Sequence, residues 1–249
     1  MLRIAQKLSW VVGGVLWCGA APAQAAVTIS PVVVQVASDG RAIVTLRNDR
    51  LREVLYQITV VRWLQVGGQD LYEATQDFIA SPPLFTLAAG ASQVVRVGFR
   101  RPLRLPLEQS YRLILAEVPR SDDDMGERGR VEFAMQYDIP VFVASTQGAD
   151  TRPLLWQVRE QAGSVLVRVD NPSSAHVVLT LVGLTRQSGL KPAPEWVHPR
   201  RSTVLARAWR EWRFPVSPTG TSLPWRIVWQ RDGLEVEVSP EANVQPNAR

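Results

Sequence analysis

The sequence predicts an all-β protein made of two sandwich domains. Three observations carry this. Period-2 alternation and β-branched runs recur along the chain, turn residues interrupt them at short intervals, and no segment shows a capped apolar stripe at helical spacing. A first series of strands is expected at Val27–Val36, Arg41–Arg47, Leu55–Leu64, Gln93–Arg100, Ser110–Val118 and Val131–Val143. A second is expected at Leu154–Arg159, Ser164–Asp170, Val177–Gly183, Arg210–Val216, Trp225–Gln230 and Leu234–Val238. The spacers carry turn chemistry: Ser38-Asp39-Gly40, Gly67-Gly68, Ser81-Pro82-Pro83, Ala89-Gly90, Asn171-Pro172 and Arg231-Asp232-Gly233. Six or so strands per half at this spacing fit two antiparallel sandwiches. The polar stretch Ser145–Arg152, which ends before Pro153, separates the halves and places the boundary near residue 148. The expected division is therefore 26–147 and 148–249, with 249 residues in all. That length suits two domains of roughly 110 residues each.

Residues 1–25 read as a secretory signal peptide rather than as part of the fold. Arg3 and Lys7 give a positive start, Val11 to Ala21 a short apolar run, and Ala23-Gln24-Ala25 a small-x-small cleavage pattern. The run is shorter than the roughly 20 residues needed to span a bilayer. No later stretch approaches that length, so no membrane insertion is expected. Trp17 before Cys18 is bulky where a lipoprotein site has a small residue. Cleavage near Ala25 removes the single cysteine, so the exported chain depends on core packing and not on disulfides.

Composition removes several function classes. One Cys and two His, His176 and His198, leave no metal site of the usual kinds, and no cofactor motif is present. No nucleophile–base arrangement can be named, so the chain does not read as an enzyme. Asp122-Asp123-Asp124 lacks the glycine and distal glutamate of a calcium loop. The formal net charge of +5, from 28 basic and 23 acidic residues, is too small to argue for nucleic acid, and the Arg100-Arg101 and Arg200-Arg201 pairs lack interleaved aromatics.

The most informative stretch is 131–139. One face carries Val131, Phe133, Met135, Tyr137 and Ile139; the other carries Glu132, Ala134, Gln136 and Asp138. Nine alternating residues span roughly 27 Å, and the pattern runs on through Pro140-Val141-Phe142-Val143. A polar segment, 119–130, precedes it. Two readings stand side by side: a long central core strand, or an exposed strand that lends its apolar face to a partner's sheet.

The order and spacing of several short pieces resemble the periplasmic pilus-assembly chaperones of the chaperone–usher type. The pieces are Ile29-Ser30-Pro31, Arg62-Trp63 with Gly67-Gly68, Ser81-Pro82-Pro83, Leu87 through Gly90 leading into Gln93–Val97, Tyr111–Pro119, and Tyr137 to Val143. The Trp-Gly-Gly, Ser-Pro-Pro and Pro-Val-Phe set is most similar to the archaic branch, which includes spore-coat-protein-U-type systems. The resemblance implies two immunoglobulin-like domains at an angle, with a cleft between them. It implies a periplasmic, non-enzymatic chaperone whose partners are pilus subunits and an outer-membrane usher. Its last first-domain strand would complete the unfinished sandwich of a subunit, with Val131, Phe133, Met135 and Tyr137 as the matching positions. Glu117 matches a glutamate that orients the domains. The alternative is a structural or adhesive periplasmic sandwich protein such as a pilus subunit, against which the two domains and the cysteine-free exported chain both argue.

Better-known members hold the subunit's terminal carboxylate with two cations, whose positions here fall at Val33 and Pro140. The resemblance therefore leaves the anchor to be supplied from elsewhere. Arg112 and Arg96, each alternating with apolar neighbours, are the candidates.

Overall fold

The computed structural model describes residues 27–36, 40–100, 105–119, 134–161, 163–186, 195–198, 200–216, 225–231 and 234–238. Among these every regular element is a strand, and the chain divides into two sandwiches with separate cores. The first contains β1 (Val27–Ser30), β2 (Val34–Val36), β3 (Arg41–Asn48), β4 (Val54–Val66), β5 (Gln69–Ala74), β6 (Phe78–Ser81), β7 (Leu84–Leu87), β8 (Ser92–Phe99), β9 (Gln109–Val118) and β10 (Gln136–Val143). Its four-stranded sheet has the order β1-β3-β8-β6. Its six-stranded sheet runs β2-β10-β9-β4-β5, with β7 also paired to β4.

Alternation explains the packing of these sheets. On β3, Val44 and Leu46 turn inward, as do Val95 and Val97 on β8; opposite them lie Tyr56 and Ile58 of β4, Leu113 and Leu115 of β9, and Ile139 and Val141 of β10. Burying each large side chain is worth roughly 1.5–3 kcal/mol. Asn48, fully buried at the end of β3, donates from its amide to the carbonyls of Arg52, Leu87 and Ala88, satisfying a loop that apolar packing alone would leave open. Gly67 and Gly68, at φ 61° and 78°, turn β4 into β5. Two successive positive φ angles are what a tight two-residue hairpin needs, and glycine adopts them without steric cost.

The second sandwich contains β11 (Leu155–Gln161), β12 (Ser164–Asp170), β13 (Val177–Leu179), β14 (Leu181–Thr185), β15 (Trp196–His198), β16 (Ser202–Val204), β17 (Trp209–Pro215), β18 (Arg226–Arg231) and β19 (Leu234–Val238). They form sheets β11-β12-β17, β13-β16 and β15-β14-β18-β19. Val167, Val169, Leu184, Trp212, Phe214 and Ile227 fill the core.

Some strands depart from the sequence expectation. The expected Val27–Val36 strand is two, one in each sheet of the first sandwich, and Val177–Gly183 breaks at Thr180, whose N–H bonds the Gln230 carbonyl. The strands β5, β6, β7, β15 and β16 were not expected. They are short or, as in Gln69-Asp70-Leu71-Tyr72-Glu73-Ala74, exposed throughout, so pairing rather than burial of an apolar face makes them strands. His198 ends β15. The last first-domain strand begins at Gln136; Val131 and Phe133 lie outside the described residues.

Candidate functional site

Strand β10 has two different edges. Along one, Gln136 to Val143 pair with β9 from Ala116 back to Gln109. That ladder begins a residue earlier, where the Glu117 N–H donates to the Met135 carbonyl at 3.0 Å. Along the other edge, β2 covers only Val141, Phe142 and Val143. Among the described residues, no strand pairs with the β2-side edge of β10 from Gln136 to Pro140. An edge with unpaired backbone groups is a template for another chain's strand.

Burial along the alternating face of β10 falls steadily toward its N-terminal end. Val141 is fully buried and Ile139 is 4% exposed, both in the core of their own domain. Tyr137 is half-buried against that core, and Met135 is 42% exposed. Beside Tyr137, Arg50 clasps Glu117 through both guanidinium nitrogens at 3.0 and 2.6 Å, and the Tyr56 hydroxyl donates to the same carboxylate at 3.1 Å. Burial raises the Tyr56 phenol pKa, and the Glu117 carboxylate beside it adds to the rise. The resemblance implies a domain-orienting role for Glu117. Its observed partners, Arg50 and Tyr56, are both in the first domain, so it fixes the β3–β4 loop against β9 at the end of β10 remote from the second domain.

The opposite end of β10 meets the second domain. The Phe142 ring stacks on His176 at 3.5 Å and 7° and lies 5.9 Å from Trp63. Trp63, Phe142 and Leu205 form a small core of their own, with Val33 and Ala208 packed against it. Polar contacts flank this core. Glu108 accepts from the His176 backbone N–H at 2.9 Å and lies 2.8 Å from its Nδ1. Gln65 bonds the Thr203 carbonyl and the Leu205 N–H, both at 2.9 Å. Asp70 accepts from Arg210 at 2.5 Å, from Trp63 Nε1 at 2.7 Å and from Gln65 at 3.1 Å. Burial pushes the Asp70 carboxyl upward, but these hydrogen bonds outweigh it and hold the carboxyl below its ordinary value. At the hairpin tip, a Cβ on Gly68 would come within 2.5 Å of the Trp209 ring, so only glycine admits this approach.

Arg112 and Arg96 are not brought together. Arg112 lies on β9 directly across from Pro140, on the face opposite Tyr111 and Leu113. Its guanidinium sits 3.8 Å above the Trp63 ring. Its ion pair with Asp138 is long, 3.5 Å, and its Nε is buried without a partner. Arg96 lies on β8 between Ile43 and Ser81, on the exposed outer face of the other sheet. Val33, one of the two positions lacking the expected cation, packs into the Trp63–Phe142 core, and the other, Pro140, is Arg112's cross-strand neighbour.

The domain seam was not legible as a seam. Trp63 and Gly67-Gly68 stand out in the sequence, but the second-domain residues they meet, Leu205 at Trp63 and Trp209 at Gly68, lie some 140 residues further on. Among the described residues no group of three or more His, Cys, Asp or Glu could hold a metal ion.

The class this architecture defines is a two-domain all-β protein with an open strand edge leading to an interdomain seam, and comparison with known proteins agrees. A chain in the crystal structure of the CsuC–CsuE chaperone–tip adhesion subunit pre-assembly complex, from archaic chaperone-usher Csu pili of Acinetobacter baumannii, superposes with a TM-score of 0.62 at 24% identity, over 86% of this chain and 97% of that one. The E. coli chaperone DraB gives 0.56 at 16% identity, over 86% and 98%. A chain in the complex of Salmonella enterica SafA pilin with the SafB chaperone gives 0.55 at 15%, over 86% and 95%. No curated protein sequence matches significantly. Residues 26–147 match the family described as pili and flagellar-assembly chaperone, PapD N-terminal domain. Through that domain the chain belongs to the pilus-assembly chaperones, which are not an enzyme family.

Proposed function

We propose that the protein is a periplasmic chaperone that captures pilus subunits on the open edge of β10 and delivers them to an outer-membrane usher. The observation that carries this reading is β10 itself: paired on one side along its whole length, open among the described residues on the other from Gln136 to Pro140, with Met135 exposed at its free end. A subunit strand added there gains main-chain hydrogen bonds, and alternating side chains fill its groove. Val131, Phe133, Met135 and Tyr137 are the donor positions in this reading. A signal peptide over 1–25 directs export, 26–147 forms the capturing domain, and 148–249 forms the second wall of the cleft. The CsuC–CsuE and SafA–SafB structures pair a chaperone with a tip adhesion subunit and a pilin respectively. The first of these favours the archaic branch.

Arg112 is the proposed anchor for the subunit's terminal carboxylate. It stands across from Pro140 at the cleft end of the open edge, it is held in place by Trp63, and its ion pair with Asp138 is long and half-exposed. A bidentate Arg–carboxylate pair suits that place. Arg96, on the far sheet, has no comparable support. The test is co-expression of the subunit with the chaperone, followed by recovery of the complex. Arg112→Ala should cut the recovered complex, since truncating one partner of a buried pair costs about 2–5 kcal/mol. Full recovery with Arg112→Ala and loss with Arg96→Ala would move the anchor to the other sheet.

A further inference from the structure

The Arg112 guanidinium is loosely engaged where it stands. Asp138 lies 3.5 Å from it, farther than the roughly 2.7–2.9 Å of a charge-assisted hydrogen bond. Arg112 Nε is buried without a hydrogen-bond partner. Asp70, beside the same Trp63 ring, is taken by Arg210, Trp63 and Gln65. Asp138 reaches Arg112 diagonally. It pairs with Ile114, two residues along β9 from Arg112. Ile139 and Val141 of β10 and Leu113 and Leu115 of β9 point into the first core, so Asp138 and Arg112 alternate onto the opposite face of the sheet. Diagonal neighbours on one face are within reach of long side chains. The Asp138 side chain is 44% exposed against 18% for Arg112, so Asp138 is the partner that can turn into solvent. It also sits in the stretch of β10 that β2 leaves uncovered, where an added strand passes beside it.

We propose that Asp138 is a positioning residue that sets how firmly Arg112 holds a captured subunit. In the free protein Asp138 occupies Arg112. The subunit's terminal carboxylate displaces it, and Asp138 then stays beside that carboxylate as a like charge and hastens its release. The inference rests on the reading of Arg112 as the anchor. The exchange is favoured because a bidentate pair of ordinary length replaces one long contact. Its cost is small, because a half-exposed ion pair is weak and the freed Asp138 regains water. The remaining like charge weakens the hold without abolishing it. That suits a protein that delivers what it captures, since a subunit held by an unopposed arginine leaves more slowly.

A charge series at this position tests the proposal. The unaltered chain, Asp138→Glu, Asp138→Asn, Asp138→Lys and Arg112→Ala are each co-expressed with a pilus subunit. Each purified complex is mixed with an excess of affinity-tagged unaltered protein, and transfer of the subunit to the tagged protein times its release. Asp138→Glu should release at the unaltered rate. Asp138→Asn should release roughly two- to fivefold more slowly, because changes within one interface act mainly on dissociation. Asp138→Lys should be slower still. Each free variant should melt near the unaltered protein, since the position is exposed. Unchanged release from Asp138→Asn would overturn the inference. Faster release would too, because Asp138 would then support Arg112 and not compete for it. So would an Asp138→Lys complex that releases faster than the Asp138→Asn complex, because charge would not set the order. Arg112→Ala separates this inference from the reading beneath it. That variant should recover less complex or release it faster. If it does neither, the anchor reading fails and takes the inference with it. Faster release from Arg112→Ala beside unchanged release from Asp138→Asn strikes the inference alone.

Discussion

The two ends of β10 use one alternating pattern for opposite purposes. At the cleft end, Ile139 and Val141 are enclosed by their own domain, and Phe142, on the other face, is locked between Trp63 and His176. At the free end, Tyr137 is only half-covered, Met135 is exposed, and among the described residues no strand pairs with the second edge. The difference shows that a strand can be anchored by its own core and still offer apolar side chains elsewhere. The anchored end also fixes the register. A one-residue slip would turn Asp138 inward in place of Ile139, so the side chains of the free end are presented in one phase.

The comparison can be broken most severely at the anchored end. Ile139→Asp would bury an unpaired carboxylate in the first core and should cost more than about 4 kcal/mol, unfolding the first domain. Chemical denaturation of the variant, followed by tryptophan fluorescence, measures it. Met-for-Ile at the same place should stay folded, which would show that burial and not the position is at fault.

The seam beside that end is the next target. Gly68→Ala forces a Cβ toward the Trp209 ring at a residue whose φ is 78°, so it should loosen the contact between domains at a cost of about 1–3 kcal/mol. Small-angle scattering should show a wider spread of domain arrangements, while both cores keep their melting behaviour.

Acid should produce a smaller effect at the same seam. The Asp70 carboxyl is held below its ordinary value of 3.8, so its contribution is complete above that value and is lost only as the pH falls through the lower, folded value. The Asp70 contribution to the seam should therefore stay constant from neutrality down to 3.8 and be lost below it. Asp70→Asn should already be loosened at neutral pH and lose that acid step. An acid step that survives Asp70→Asn would assign the change to another group.

Much of this was legible in the sequence, because alternation is a local property. The alternation read from 131 to 143 announces a two-faced strand, which the structure shows over Gln136–Val143, and the Gly67-Gly68 pair announces a tight turn. Topology was not local. Arg112 and Arg96 show the same alternation with apolar neighbours, yet one lies on the sheet that holds β10 and the other on the opposite sheet. Nothing within a few residues of either distinguishes them. The seam was hidden for the same reason: Glu108 meets His176 and Asp70 meets Arg210 only after the second domain has packed against the first. Strand β5 was hidden by composition, since its six exposed, largely polar residues become a strand only by pairing with β4.

The most direct measurement of the account is made on Met135→Glu, with Phe133→Glu alongside. Each variant is co-expressed with the subunit to measure capture, and melted alone to measure stability. An exposed position away from the core changes stability by no more than about 0.5 kcal/mol, whereas a charge placed in the subunit's apolar groove removes the contacts that drive capture. The Met135→Glu protein should melt as the unaltered protein does and recover no subunit. A Met135→Glu protein that unfolds, or one that stays folded and still retains its subunit, would contradict it.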